Sequence, residues 1–191
     1  MKKSWLAILA IFILLLSSCG TTDKKETNNI IKQEFDGAPQ WVIGNASTPS
    51  QICGVGSAAA SRNVSIMRTT AMQRGRTEIS KIIGTKVSAV LTDYSSKTIS
   101  SNELQKSVSS ERQIEDISKQ ITESVLSGSE QKDQWTSNSS GTLYVLMCTD
   151  VEKFKEIVKN MSQISENIRN VVSETADEAF NEISKETERP E

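Results

Sequence analysis

The apolar positions change period several times along the chain, and each change marks an element. Residues 37–42, Gly37-Ala38-Pro39-Gln40-Trp41-Val42, read as a turn feeding a short apolar segment, and Ile52-Cys53-Gly54-Val55-Gly56 as a buried strand. From residue 58 to 83 the spacing becomes three and four, through Met67, Ala71, Gly75, Ile79, Ile82 and Ile83, which predicts a helix. Its small residues Ala71 and Gly75 would let it lie close to a sheet. Val87, Ala89 and Leu91 then alternate with Lys86, Ser88 and Thr92, the period-two pattern of a half-buried strand running to about residue 98. A second helix follows, with Ser110-x-x-Gln113 resembling a capping box and Ile114, Ile117, Ile121 and Val125 forming the stripe. It could begin as early as Asn102. Two β segments at 126–135 and 142–149, joined by Ser-Asn-Ser-Ser-Gly, read as a hairpin. Asp150 can cap a last helix that meets no Gly or Pro until Pro190. The order predicts an α+β fold: a small, mostly antiparallel sheet (strand, helix, strand, helix, hairpin) packed with helices, plus a long C-terminal helix.

The ends of the chain carry a different kind of information. Lys2 and Lys3 precede an uncharged apolar run at 5–16, too short to span a bilayer, which ends in Leu16-Ser17-Ser18-Cys19. This resembles the lipobox of bacterial lipoproteins, in which Cys19 carries a diacylglycerol, later an N-acyl chain, and the peptide is cut just before it. Several acyl chains, at about 0.8 kcal/mol per methylene, make such anchoring effectively permanent. Gly20 is not the Asp that resembles an inner-membrane retention signal, so an outer-membrane location is expected, facing the periplasm or the surface. The expected organisation is a signal peptide at 1–18, a lipidated flexible tether at 19–36, an α+β domain at 37–150, an amphipathic helix at 151–186 and a disordered tail at 187–191. At roughly 3.3 Å per residue the tether could reach several tens of ångströms.

Removing residues 1–18 leaves 20 basic and 24 acidic side chains. That mild acidity, without a clustered basic face, argues against nucleic acid as a partner. The chain has no histidine, so Ser-His-Asp and Cys-His catalysis are excluded and no metal site is expected. Gly54-Val55-Gly56-Ser57-Ala58-Ala59 fits the loose form G-x-G-x-x-A, but without a parallel βαβ unit the glycines are better read as a tight strand-to-helix turn than as a nucleotide cradle. Ser129-x-x-Lys132 is a short coincidence on a solvated strand face.

Taken together, the lipobox, the opening motif at 37–42, the strand Gly54-Val55-Gly56-Ser57-Ala58, the helix through Arg74 and Glu78, and the hairpin from Trp135 to Gly141-Thr142-Leu143-Tyr144-Val145-Leu146 resemble the Lpp-twenty lipoproteins. That family includes flagellum-associated lipoproteins of the FlgP type. The resemblance implies an envelope lipoprotein, often surface-exposed, with no catalytic residues to carry over. Two features depart from it: the cysteines Cys53 and Cys148, and the length of the segment after Asp150.

Cys53 and Cys148 each lie in a predicted core strand, and export would place them in an oxidising compartment; they either pair or remain buried free thiols. In the last helix Phe154, Ile157, Met161, Ile164, Ile168 and Val171 fit a and d positions, with Val158, Val172 and Ala179 widening the stripe. A narrow seam suits self-association and a wide one suits packing on the protein's own sheet. Trp41, Trp135 and Tyr144 are expected in the core. The functional expectation is a non-enzymatic envelope lipoprotein with a structural or protein-interaction role; the alternative is a binding module for a small ligand or wall polymer. No cofactor beyond the lipid is expected.

Overall fold

The computed structural model describes residues 24–44, 46–100 and 111–186. The lipobox with Cys19, the signal peptide and the Ser110 cap lie outside those residues. The chain divides into two units, residues 1–34 and 35–191. In the first, Lys24–Glu34 forms helix α1. The tether expected at 19–36 thus includes this helix, with Ile30 and Ile31 exposed.

The second unit runs α2 (Gln40–Ile43), β1 (Gln51–Ala58), α3 (Val64–Ser100), α4 (Glu111–Ser127), β2 (Glu130–Thr136), β3 (Leu143–Asp150), α5 (Val151–Lys159), α6 (Glu166–Glu174) and α7 (Ala176–Glu186). The sheet is three-stranded and antiparallel in the order β1-β3-β2. The β2-β3 hairpin turns at Ser137 to Gly141, where Gly141 takes φ +70°, a left-handed conformation that a residue without Cβ adopts at no steric cost.

One helix replaces the expected helix and strand. α3 starts at Asn63, whose side-chain oxygen accepts from the Ile66 N–H at 3.1 Å, and continues through residues 87–98. The buried positions Ala71, Gly75, Ile79, Ile83, Val87 and Leu91 recur every four residues without a break. Each step of four advances 400°, so the stripe drifts about 40° per step around the helix. Its first part faces the sheet and its later part faces α4 and the C-terminal helices, which is why no single face looks apolar throughout. The alternation at 87–91 was incidental: Ala89, which a strand would have buried beside Val87 and Leu91, is exposed. The helix runs on through Gly84. A Cβ there would meet only the Thr122 hydroxyl, at 3.8 Å, so Gly84→Ala is expected to raise the unfolding free energy by about 0.5–1 kcal/mol in urea titration, the helix-propensity gain without a clash.

The C-terminal segment is not one long helix. It breaks at 160–165, where the Arg169 guanidinium donates to the carbonyls of Met161 and Ile164, both at 3.0 Å, and again at Thr175, whose hydroxyl donates to Val171 O at 2.7 Å. The breaks wrap the apolar stripe back onto the domain. Phe154, Met161, Ile164 and Ile168, which fitted either a self-association seam or packing on the protein's own sheet, belong to the core with Val158, Val172 and Phe180, and the Phe154 and Phe180 rings meet edge to face at 5.1 Å. Ile157 is half-buried against the same core and Val171 is half-buried on α6. Burying Phe154 alone contributes about 1.5–3 kcal/mol, a stronger pull than continuity of a helix without capping signals. The wide stripe packs on the protein itself.

Lys155 holds the last helix in place, reaching Asp177 at 2.6 Å and Glu152 at 2.8 Å. The hydrogen bonds it donates to Asp177 first and Glu152 second raise its pKa above the ordinary 10.5, so the stabilisation is fully present below that value and is lost as pH rises through the higher folded one. Lys155→Met is expected to speed amide exchange in α7 roughly two- to fivefold, read by hydrogen-exchange mass spectrometry.

Candidate interaction surface

The sheet has two unlike faces, and the glycines of β1 create the difference. On the inner face Gly54 and Gly56 lie against α3 so closely that a Cβ on Gly56 would come within 1.9 Å of the Ala71 carbonyl oxygen and 2.3 Å of the Gly75 nitrogen, and one on Gly54 within 2.4 Å of the Gly75 oxygen. Backbone therefore packs on backbone, with Met147 of β3 filling the space beside Gly75. The G-x-G pattern is neither a nucleotide cradle nor a strand-to-helix turn. Both glycines sit inside the strand, as the surface on which a helix of small residues rests.

On the outer face strand alternation gathers Cys53 and Val55 from β1 with Tyr144, Leu146 and Cys148 from β3. Cys53 and Cys148 are direct cross-strand partners, and the structure joins them by a disulfide with Cα atoms 4.1 Å apart. Such closeness belongs to a non-hydrogen-bonded pair. The backbone of Cys53 bears this out: its N–H donates to the Ser47 hydroxyl at 3.0 Å and its carbonyl accepts from the same hydroxyl at 3.2 Å, which caps part of the β1 edge.

β2 supplies the rest of this face through an irregularity that the sequence does not announce. Its register against β3 shifts between Gln131 and Asp133, a bulge at Lys132, so Asp133 and Trp135 turn to the side occupied by Tyr144. The Trp135 and Tyr144 rings lie 5.5 Å apart, and Phe35 adds a third ring 6.0 Å from Tyr144. Trp41, on the four-residue helix α2, donates its indole N–H to the Asp133 carboxylate at 2.8 Å. The opening motif 37–42 thus folds back across the open side of the sheet. Phe35, Trp41, Trp135, Tyr144 and Leu146 are all half-buried. The expectation that Trp41, Trp135 and Tyr144 are core residues fails, because the long helix α3 packs on the other face and this one carries the four-residue α2. At the lower end Glu130 binds Lys153 at 3.2 Å and Lys132 at 3.5 Å, and the hydrogen bond from Lys153 is the main cause that lowers its pKa.

A second concavity runs between α3 and α4, about 870 Å³ in volume, lined by hydroxyls that include Ser80, Ser88, Thr92, Ser118 and Thr122. Its floor is tied together: Ser88 donates to Ser118 at 3.0 Å, and Ser118 to the Gly84 carbonyl at 3.1 Å. The Ser129 hydroxyl, part of the S-x-x-K coincidence, donates to the Leu126 carbonyl and accepts from Arg76, which makes it a helix-end cap. Among the described residues there is no cluster of metal-ligating side chains, and no helix is long and apolar enough to cross a membrane.

The model of the LPP20 lipoprotein family matches residues 39–150, from the opening motif to the end of the hairpin. No curated protein matches the chain.

Proposed function

From the premise that the chain belongs to the LPP20 lipoprotein family, an envelope lipoprotein associated with a membrane through its lipid anchor, we propose that it acts without catalysis, as a structural or protein-interaction module tethered at Cys19. The half-buried aromatic face of Phe35, Trp41, Trp135 and Tyr144 carries this reading. Aromatic side chains left half in water on one side of a sheet, beside an oriented carboxylate, have the composition of a protein-binding patch. On the same face the disulfide ties β3, which carries Tyr144, to β1. An outer-membrane location belongs to the same proposal and rests on Gly20. A link to cell-surface or flagellar structures rests on the family resemblance alone.

The test is site-specific cross-linking of the lipidated protein from position 135 in intact envelope. The proposal expects a discrete protein adduct that disappears when Trp41 and Tyr144 are both replaced by alanine. Adducts that are absent, or indifferent to those replacements, would overturn it. The hydroxyl-lined groove between α3 and α4 favours the second reading, a binding module for a polar ligand such as a wall sugar. It expects soluble wall fragments to perturb Ser88 and Ser118 rather than the aromatic face.

A further inference from the structure

We propose that residues 38–43 are a flap over the aromatic face, which opens while the sheet beneath stays folded, and that the open form is the one a protein partner binds. The binding half rests on the interaction role proposed above; the opening half does not. The segment is held firmly at both ends and weakly between them. On one side Phe35 sets its ring against Tyr144, and on the other the Ser47 hydroxyl bonds both the N–H and the carbonyl of Cys53. Between these points α2 lies against β3 without one buried residue, and Ile43 is 60% exposed. Ala38, Val42 and Gly44 donate their N–H groups locally, to the carbonyls of Phe35, Pro39 and Gln40. Among the described residues, the bond from the Trp41 indole to Asp133 is thus the one hydrogen bond from residues 38–43 to the sheet. Gly37 supplies a hinge, at φ +74° with no packed atom within 4 Å of where a Cβ would stand.

A segment with no buried side chain, local backbone bonds and one tie to its support belongs to the low-stability end of a fold. The sheet belongs to the other end, pinned by the disulfide and by the backbone of α3 behind it. The flap is also seated where a partner would sit. Trp41 occupies the Asp133 carboxylate beside Trp135 and Tyr144, the residues on which the interaction role rests. A group of the protein's own on a binding surface lowers the apparent affinity of any competitor by the fraction of molecules in which that surface is free. A partner that brings its own N–H donor to Asp133 restores the charge-assisted bond that opening breaks. The closed flap therefore shows the chemistry the face accepts: apolar surface over the rings and a donor on the carboxylate.

Residue-resolved hydrogen exchange of the full-length protein reads the flap through the amides of Val42 and Gly44, and the sheet through those of Val145 and Met147 in the β1-β3 ladder. Trp41→Phe keeps a ring and removes the donor. It is expected to speed exchange at Val42 and Gly44 about fivefold and to leave Val145 and Met147 unchanged. Asp133→Ala should speed the same two amides as much. In the cross-linking from position 135, Trp41→Phe should raise the adduct roughly two- to fivefold, whereas Asp133→Ala, open but without the acceptor, should give no more than the parent. Val42 and Gly44 exchanging as slowly as the ladder, or indifferent to Trp41→Phe, overturns the flap. No gain in adduct from Trp41→Phe overturns its role as a cover, and an equal gain from Asp133→Ala overturns the donor requirement. Absence of adduct from every form overturns the interaction role and the binding half together, and the exchange rates then decide the opening half alone.

Discussion

Gly56→Ala is expected to lower the unfolding free energy by about 3–5 kcal/mol, and Gly56→Val to leave the domain unfolded at 25 °C. The added methyl would collide with the backbone of α3 at Ala71 and Gly75, at 1.9 and 2.3 Å, and no rotamer can relieve a clash with backbone. The helix would have to lift off the sheet, and with it the contacts of Ile79 and Met147 in the core. In a strand without such a neighbour the same replacement would be neutral or favourable, since glycine loses more freedom on folding than alanine. Sign as well as size therefore tests the packing. Urea unfolding followed by tryptophan fluorescence gives the measurement, with Gly84→Ala as an internal control expected to move the other way. A cost at Gly56 below about 1 kcal/mol would mean that α3 does not rest on β1.

The disulfide is expected to carry a comparable share of the stability. Its cysteines are 95 residues apart, and in the chain-entropy model a bridge closing a loop of that length constrains the unfolded chain by about 4–5 kcal/mol. Against a total of roughly 5–15 kcal/mol for a domain, its loss brings the protein close to the threshold of folding. The Cys53→Ala, Cys148→Ala protein should unfold at much lower urea than the oxidised parent, and the parent reduced while unfolded should match the variant. Because both sulfur-bearing residues are almost fully buried, reductant added to the folded protein should act slowly, at a rate set by opening of the sheet. Peptide mapping without reductant should recover the two cysteines in one linked peptide. Identical urea midpoints for oxidised and reduced protein would remove the disulfide from the account of stability.

The sequence was most informative where local chemistry fixes local geometry. The hairpin could be read from two β segments around Ser-Asn-Ser-Ser-Gly, because few conformations close so short a turn and Gly141 supplies the one positive φ it requires. The close approach of a helix to the sheet could be read from Ala71 and Gly75, since only small residues permit it. The aromatic face could not. Its assembly depends on a bulge at Lys132 that reverses the orientation of Trp135, on a segment more than 90 residues earlier that brings Trp41 to Asp133, and on the long helix α3 packing on the opposite side of the sheet. None of these leaves a periodic trace.

By itself, then, the chain determined the class of fold, the family, and the pairs of small residues where helix and sheet touch. Tertiary structure decided the rest, by burial. Residues 87–98 are helical because a stripe at every fourth position finds cover on three different neighbours in turn, which outweighs a short stretch of alternation. Residues 151–186 bend twice because Phe154, Ile168 and Phe180 reach the core only if the helix breaks. Periodicity reports which residues avoid water, whereas the direction in which cover lies is a property of the folded chain.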